Sequence, residues 1–117
     1  MPVRVEVELD MFSGMPNPAW VLTDVEADNF IKKLAALPRT LATELSGHLG
    51  YRGFIVQVMQ GANTQLIHIQ TGIVHISIGA TNFYARDEDR ELERWLLNTG
   101  RPHLTDERFQ MVEREFR

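Results

Sequence analysis

Two histidines, at positions 68 and 75, come nearest in type and spacing to a chemical site. They flank Thr71-Gly72, a two-residue turn signal between apolar segments. If that turn closes a hairpin, His68 faces His75 across the strands with Cβ atoms roughly 4.5–5.5 Å apart. Two neutral imidazoles so placed can share a divalent metal when a carboxylate supplies a third ligand. The alternative, which the sequence favours, is a histidine pair that packs in an amphipathic sheet and binds no metal.

Carboxylates for such a site are present in the first strand. Glu6, Glu8 and Asp10 alternate with apolar residues there and would reach the histidines if this strand pairs with the hairpin. No further metal-ligand spacing occurs, because His48 and His103 are isolated in the sequence. The expected cofactor is therefore none, with a divalent metal as the alternative.

A proline-rich segment, Phe12 to Trp20, holds the first candidate binding residues. Its prolines restrict the unfolded chain, so a rigid loop forms at a small entropic cost. Asn17 could act as a polar contact and Trp20 as an aromatic anchor for a ligand or partner. The alternative is a stiff connection with Trp20 buried in the core. This location is the commoner one, because most tryptophans are largely buried.

Tyr51, Arg52 and Gln57 complete the candidate binding residues. Tyr51 and Arg52 lie between glycines just before a strand, where we expect both to be exposed. Arg52 could bind a carboxylate or phosphate through two parallel hydrogen bonds. The alternative, which the sequence favours, is an ion pair with an internal acid such as Asp10 or a C-terminal glutamate. Gln57 is included because the expected register places it opposite His68.

Several function classes are excluded by composition. The chain of 117 residues has no cysteine, so thiol catalysis and disulfides are absent. A net charge of −4 and the lack of a basic stripe argue against nucleic acid and anionic membranes as partners. No Ser-His-acid arrangement or phosphate loop emerges. The charged, alternating N-terminus has no apolar run, so we predict a cytoplasmic protein.

The first half of the chain predicts a strand and a helix. Val3 to Leu9 alternates apolar with charged residues, which is typical of a half-buried strand. Thr23 and Glu26 form a capping box ahead of a helical apolar pattern from Asp24 to Leu37, which Pro38 ends. Leucines spaced four apart between Thr40 and Gly53 predict a short second helix.

The middle of the chain predicts a three-stranded meander. Turns at Gly61 to Thr64 and at Thr71-Gly72 separate three segments rich in branched residues. A four-residue first loop places Gln60 opposite Gln65 and Gln57 opposite His68. One face is then apolar, with Phe54, Val56, Val58, Ile67, Ile69, Val74, Ile76 and Ile78. The other is mixed, with Ile55, Gln57, Met59, Leu66, His68, Gln70, Ile73, His75 and Ser77.

The C-terminal part predicts two helices. One begins at Asp87 or Asp89 and stops at Gly100, and the next opens at Thr105. The charged residues of the first of these helices are expected to form a solvated face with ion pairs. The fold class is therefore α+β: a single domain over residues 1–117, with an antiparallel sheet of about four strands, one helix on the core face and two C-terminal helices.

Two short strings carry a resemblance. Phe12-Ser13-Gly14-Met15-Pro16-Asn17-Pro18 and Leu49-Gly50-Tyr51-Arg52-Gly53-Phe54 are similar to strings shared by a set of small bacterial proteins of no known activity. The resemblance covers a small part of the chain and implies no function. The usual first string has arginine where Met15 stands, so an anion-binding role of that arginine would be missing here.

The expected function is that of a non-enzymatic binding or accessory domain. It would act through the mixed sheet face and the loop from Ser13 to Trp20. The mixed face carries more apolar area than a monomer usually exposes, so we expect the C-terminal helices, a second subunit or a protein partner to cover it. The alternatives are a metal-binding protein or metal-dependent enzyme using His68 and His75, and an enzyme whose site forms between subunits.

Overall fold

The fold is a six-stranded antiparallel sheet with three α-helices packed on one of its faces. A computed structural model of the chain describes residues 3–12, 15–42 and 50–116. The strands are β1 (Val3–Phe12), β2 (Ala19–Val21), β3 (Gly50–Gln60), β4 (Asn63–Gln70), β5 (Ile73–Ile78) and β6 (Thr81–Arg86). The α-helices are α1 (Asp24–Ala35), α2 (Glu91–Thr99) and α3 (Asp106–Glu113). The α+β class is confirmed, but six strands replace the expected four.

The two additional strands lie at the two ends of the strand order β2-β1-β3-β4-β5-β6. β2 has three residues and follows two prolines, so it is too short to show an alternating pattern. β6 pairs with β5 but places Phe83 at 37% exposure, which weakens its alternation. Beyond β6, Arg39 forms an isolated antiparallel bridge with Ala85. The expected short helix falls largely on residues 43–49, which lie outside the described residues.

The predicted hairpin at Thr71-Gly72 is confirmed. Both residues have positive φ, as a two-residue turn of the I′ kind requires, and His68 pairs with His75. The preceding loop is shorter than expected, since Gln60 pairs with Asn63 around a turn at Gly61. The register between β3 and β4 therefore differs by two residues from the prediction. A shift of two keeps each side chain on its predicted face, because side chains alternate with period two.

The core lies between the sheet and the helices. Its sheet side includes seven of the eight residues predicted for the apolar face; Ile78, at the end of β5, is 41% exposed. The helices add these buried side chains: Ala27 and Phe30 from α1, Leu92, Leu96 and Leu97 from α2, and Phe109 and Val112 from α3. The expectation that the C-terminal helices cover the mixed face is wrong, because α2 and α3 complete the core with α1.

The predicted capping residues bind the first turns of the helices, although α1 ends at Ala35, two residues before the predicted Leu37, and α2 begins only at Glu91. The Thr23 hydroxyl accepts a hydrogen bond from the Glu26 amide, and the Glu26 carboxylate accepts one from the Thr23 amide. Asp87 caps the α2 region by accepting from two backbone amides, and the Thr105 hydroxyl accepts from the amide of Arg108. No helix in the described part of the chain is long and apolar enough to span a membrane.

Candidate functional site

A β-bulge in β3 decides where several candidate side chains lie. Leu9 pairs with Phe54 and Met11 with Tyr51, so Arg52 and Gly53 together oppose Asp10 alone. Gly53 has a φ of +89°, and a Cβ there would lie 2.0 Å from the carbonyl oxygen of Ile69, so only glycine fits. Gly53 of this string therefore serves the bulge.

The bulge moves Tyr51 to the core side of the sheet. Its side chain is 4% exposed, so the expectation of an exposed Tyr-Arg pair is wrong for the tyrosine. The extra residue in β3 reverses the alternation at this point, which a simple count of residues from Phe54 could not show. Arg52 stays on the opposite side and forms an ion pair of 3.0 Å with Asp10. This is the internal pairing that the sequence offered as an alternative.

Trp20 also belongs to the core side. It is 4% exposed, donates a hydrogen bond to the Thr99 hydroxyl at 3.1 Å, and stacks on the His103 ring. Its ring meets Phe54 edge to face. Trp20 therefore joins the end of α2 to the sheet, and its indole is not available as an anchor for a partner.

The remaining candidates lie on the side of the sheet that α1, α2 and α3 leave uncovered, which we term the open face. Alternation and register place these side chains on it: Glu6, Glu8 and Asp10 of β1, Ile55, Gln57 and Met59 of β3, Leu66 and His68 of β4, Ile73, His75 and Ser77 of β5, and Asn82, Tyr84 and Arg86 of β6. Leu66 is 45% exposed, and Ile55, Met59 and Ile73 are half-buried. The open face is therefore a mixed surface with an apolar centre.

Asp10, Arg52 and His68 form a polar cluster at one end of the open face. Asp10 is almost fully buried and accepts from Arg52, while Nε2 of His68 lies 4.0 Å from its other carboxylate oxygen. The same His68 nitrogen lies 2.9 Å from the backbone oxygen of Arg52. The cluster fixes the geometry of the bulge and gives this end of the face a polar floor.

Asn17 connects the proline-rich loop to the same strand. Its side-chain oxygen accepts from the Met11 amide at 3.1 Å, and its Nδ2 donates to Glu8 at 2.8 Å. Both ends of the amide are thus engaged within the protein. In the described part of the loop, Met15 is the exposed apolar side chain, at 63%. Asn17 therefore positions the loop beside the open face.

His68 and His75 are directly opposed, but their rings have different partners. Nε2 of His75 lies 2.9 Å from Oδ1 of Asn82, and its ring stacks on Tyr84 with centroids 4.7 Å apart. Nε2 of His68 instead contacts the backbone oxygen of Arg52 in β3, on the side away from β5. Among residues 3–12, 15–42 and 50–116, no group of three potential metal ligands converges. This geometry favours the pair without a metal.

Gln57 does not meet His68. The two-residue difference in register pairs Gln57 with Leu66 and Ile55 with His68. Gln57 is exposed on the open face, between Glu6 of β1 and Leu66 of β4. The candidates thus divide in three: Asn17, Arg52 and His68 gather near the β1 acids, Gln57 and His75 lie elsewhere on the face, and Trp20 and Tyr51 are buried.

A second polar network, on the core side, was missed by sequence reasoning. The carboxylate of Glu93, with no exposed area, accepts from Tyr51, from the Gly72 amide and from two nitrogens of Arg90. Burial and the nearby Glu93 raise the pKa of Tyr51, so its hydroxyl remains a donor. Hydrogen bonds to Glu93 likewise raise the pKa of Arg90. The expected solvated face of this helix is wrong at Glu93, which joins α2 to the β4–β5 turn.

Comparisons with known proteins add no family to this picture. No family model, no curated protein and no solved structure matches the chain. The function is therefore inferred from the geometry of the open face.

Proposed function

We propose that this protein is a small binding or accessory domain that recognises a macromolecular partner through its open face and the adjoining loop. One observation carries the proposal: the three α-helices all pack on one side of the sheet and leave a mixed surface on the other. That surface has exposed Leu66 and Val21 among polar side chains, the composition found at protein interfaces.

The polar groups of the face support binding more than catalysis. Asp10 and Arg52 neutralise each other, and Asn17 is engaged at both ends of its amide. Catalytic groups need free donors or acceptors that can reach a substrate in a cleft. The depression beside Glu8 measures about 90 Å³, which is small for a substrate pocket, and the larger one beside Asn82 and Tyr84, about 610 Å³, is wide open to solvent. A broad, shallow surface suits a macromolecule.

A metal site is the second candidate, and one observation favours it. His68 and His75 are register partners in adjacent strands, so their side chains leave the sheet on the same face. To share a metal, both rings must give up their present hydrogen bonds and recruit a third ligand. The metal-binding function is therefore the less supported of the two.

A photo-crosslinking experiment tests the binding proposal with a matched pair of positions. A photoreactive amino acid replaces Gln57 on the open face or, as the control, Gln110 on α3; both glutamines are exposed. In cells that produce the protein, we expect irradiation to give one discrete adduct from position 57 and none from position 110. The absence of an adduct at position 57, or equal adducts at both positions, would contradict the proposal.

A further inference from the structure

Two opposite charges on the open face have no ion-pair partner within the described residues. On β1, the other two acids of this face pair with Arg4 and Arg52, whereas Glu8 accepts a hydrogen bond from neutral Asn17. On β6, Arg86 forms no ion pair with any of the described residues. An uncompensated acid therefore lies toward one edge of the face and an uncompensated base at the other.

We propose that a second copy of the chain covers the open face, with a twofold axis parallel to the strands that sets Glu8 of each copy near Arg86 of the other. This inference rests on the proposed binding function and names the partner. A twofold interface uses the same patch on both copies, so each Glu8–Arg86 contact occurs twice.

The charges select the direction of the axis. A twofold axis across the strands would place β1 over β1 of the second copy, so that the acidic side of one face would lie over the acidic side of the other. Like charges at close range in an interface strongly disfavour association. An axis along the strands places β1 over the β5–β6 side, whose open face carries Arg86 and no acid among the residues assigned to it. It also permits the aligned packing that sheets adopt, with strands about 30° apart.

The apolar side chains of the face lie where such an axis would pass. Ile55 of β3 and Leu66 of β4 belong to the two central strands of the order, so each would meet apolar groups of the other copy. The six strands have between 3 and 11 residues each, so at ~3.3 Å per residue and ~4.8 Å between strands their footprint is roughly 700 Å², close to the ~800 Å² per partner of a stable interface. The available surface is therefore sufficient for a dimer.

A small depression beside Glu8 offers a place for the opposing guanidinium. It measures about 90 Å³ and is lined by Glu6, Val7, Glu8, Ala19, Ile55 and Gln57. Its rim thus combines two carboxylates with apolar groups. A guanidinium binds carboxylates through fixed parallel donors while its aliphatic stem packs on apolar neighbours. The exposed Arg86 has that chemistry.

A charge-swap experiment tests this arrangement by sedimentation velocity over a concentration series. Wild-type protein should sediment at twice the chain mass of 13.4 kDa. Glu8→Arg alone and Arg86→Glu alone should each weaken self-association at least tenfold, because both twofold contacts then join like charges. An equimolar mixture of the two variants should restore a dimer, because each contact then joins opposite charges.

Matched controls separate interface effects from folding and from general charge. Glu107→Arg and Arg114→Glu make the same charge changes at exposed positions in the helical layer and should leave association unchanged. Glu8→Gln retains an acceptor for Asn17, so its weaker association would report the lost charge. Far-ultraviolet circular dichroism should be the same for all variants.

Three results would overturn the inference: a monomeric wild type at every concentration, a dimer indifferent to both swaps, or a mixture that fails to restore association. The crosslinking experiment distinguishes this failure from that of the proposed function. A position-57 adduct with a different protein would retain the binding function and exclude the second copy as the partner. An adduct of twice the chain mass would support both.

Discussion

Two polar clusters lie on opposite sides of the same sheet and differ in how completely the fold encloses them. On the core side, Glu93 is fully buried and both of its carboxylate oxygens accept from protein donors. On the open face, Asp10 is nearly buried, but its partner Arg52 retains 28% side-chain exposure. The first cluster joins secondary-structure elements, whereas the second borders a surface that another molecule can reach.

The difference shows that a buried charge is not by itself a sign of function. Glu93 has the features often used to find active sites, including a perturbed neighbour, since burial raises the pKa of Tyr51. Its contacts instead connect β3, the β4–β5 turn and α2, and Arg90 adds a cation–π contact with the Phe116 ring, 4.5 Å away. The network is therefore structural. The less buried cluster, beside an uncovered apolar surface, is the better candidate for binding.

Removing the two acids should give the clearest contrast between these clusters. Glu93→Ala should lower the free energy of unfolding by about 3–5 kcal/mol, because it leaves Arg90, Tyr51 and the Gly72 amide without their acceptor. Asp10→Ala should cost about 1–2 kcal/mol, because water can hydrate the partly exposed Arg52. Urea unfolding of both variants gives the comparison. Equal losses would show that the open-face cluster is as essential to folding as the buried one.

Trp20 and Asn17, at the end of the loop, extend the contrast to neutral side chains. Trp20→Ala should cost about 3 kcal/mol, near the lower end for a buried tryptophan, because β2 is a short edge strand that can relax. Asn17→Ala should cost at most about 1 kcal/mol, the value of a partly exposed hydrogen bond. Thermal unfolding of the two variants measures both losses of stability. A Trp20→Ala protein of normal stability would contradict this prediction and support Trp20 as a recognition residue.

The histidine pair should show the smallest effect of all. Each ring already has its own partner, so adding zinc, nickel, copper or iron salts to untagged protein should leave its melting temperature unchanged. Metal analysis of the purified protein should likewise find no stoichiometric metal. If a bound metal is found and both His68→Ala and His75→Ala remove it, the metal-binding alternative replaces the proposed binding function.

The candidate site was predictable where local pattern alone sets the geometry. The Thr71-Gly72 turn places His68 opposite His75 because a two-residue hairpin leaves a single register. Arg52 pairs with Asp10, which the sequence offered, beside a C-terminal glutamate, as an internal partner of the arginine. By contrast, the burial of Tyr51 depends on the bulge, where Gly53 approaches the Ile69 backbone of a neighbouring strand too closely for a side chain.

The sequence by itself determined the elements and the faces of the central strands. Alternation in β1, β3, β4 and β5 separates apolar from mixed faces, and that separation persists through a two-residue shift in register. The hydroxyls of Thr23 and Thr105 cap their helices by accepting hydrogen bonds from the backbone amides three residues further along, those of Glu26 and Arg108. These features are local, so the order of residues is enough to specify them.

Only the tertiary structure decided which face the helices cover. Amphipathic patterns give α1, α2 and α3 an apolar side but do not say which sheet face receives it. All three helices pack on the apolar face, since this buries the largest apolar area, and Glu93 is buried with them. Within the described residues the mixed face is consequently left open, with Glu8 and Arg86 far apart in the sequence yet on one surface. That juxtaposition depends on long-range strand pairing, which residue spacing cannot encode.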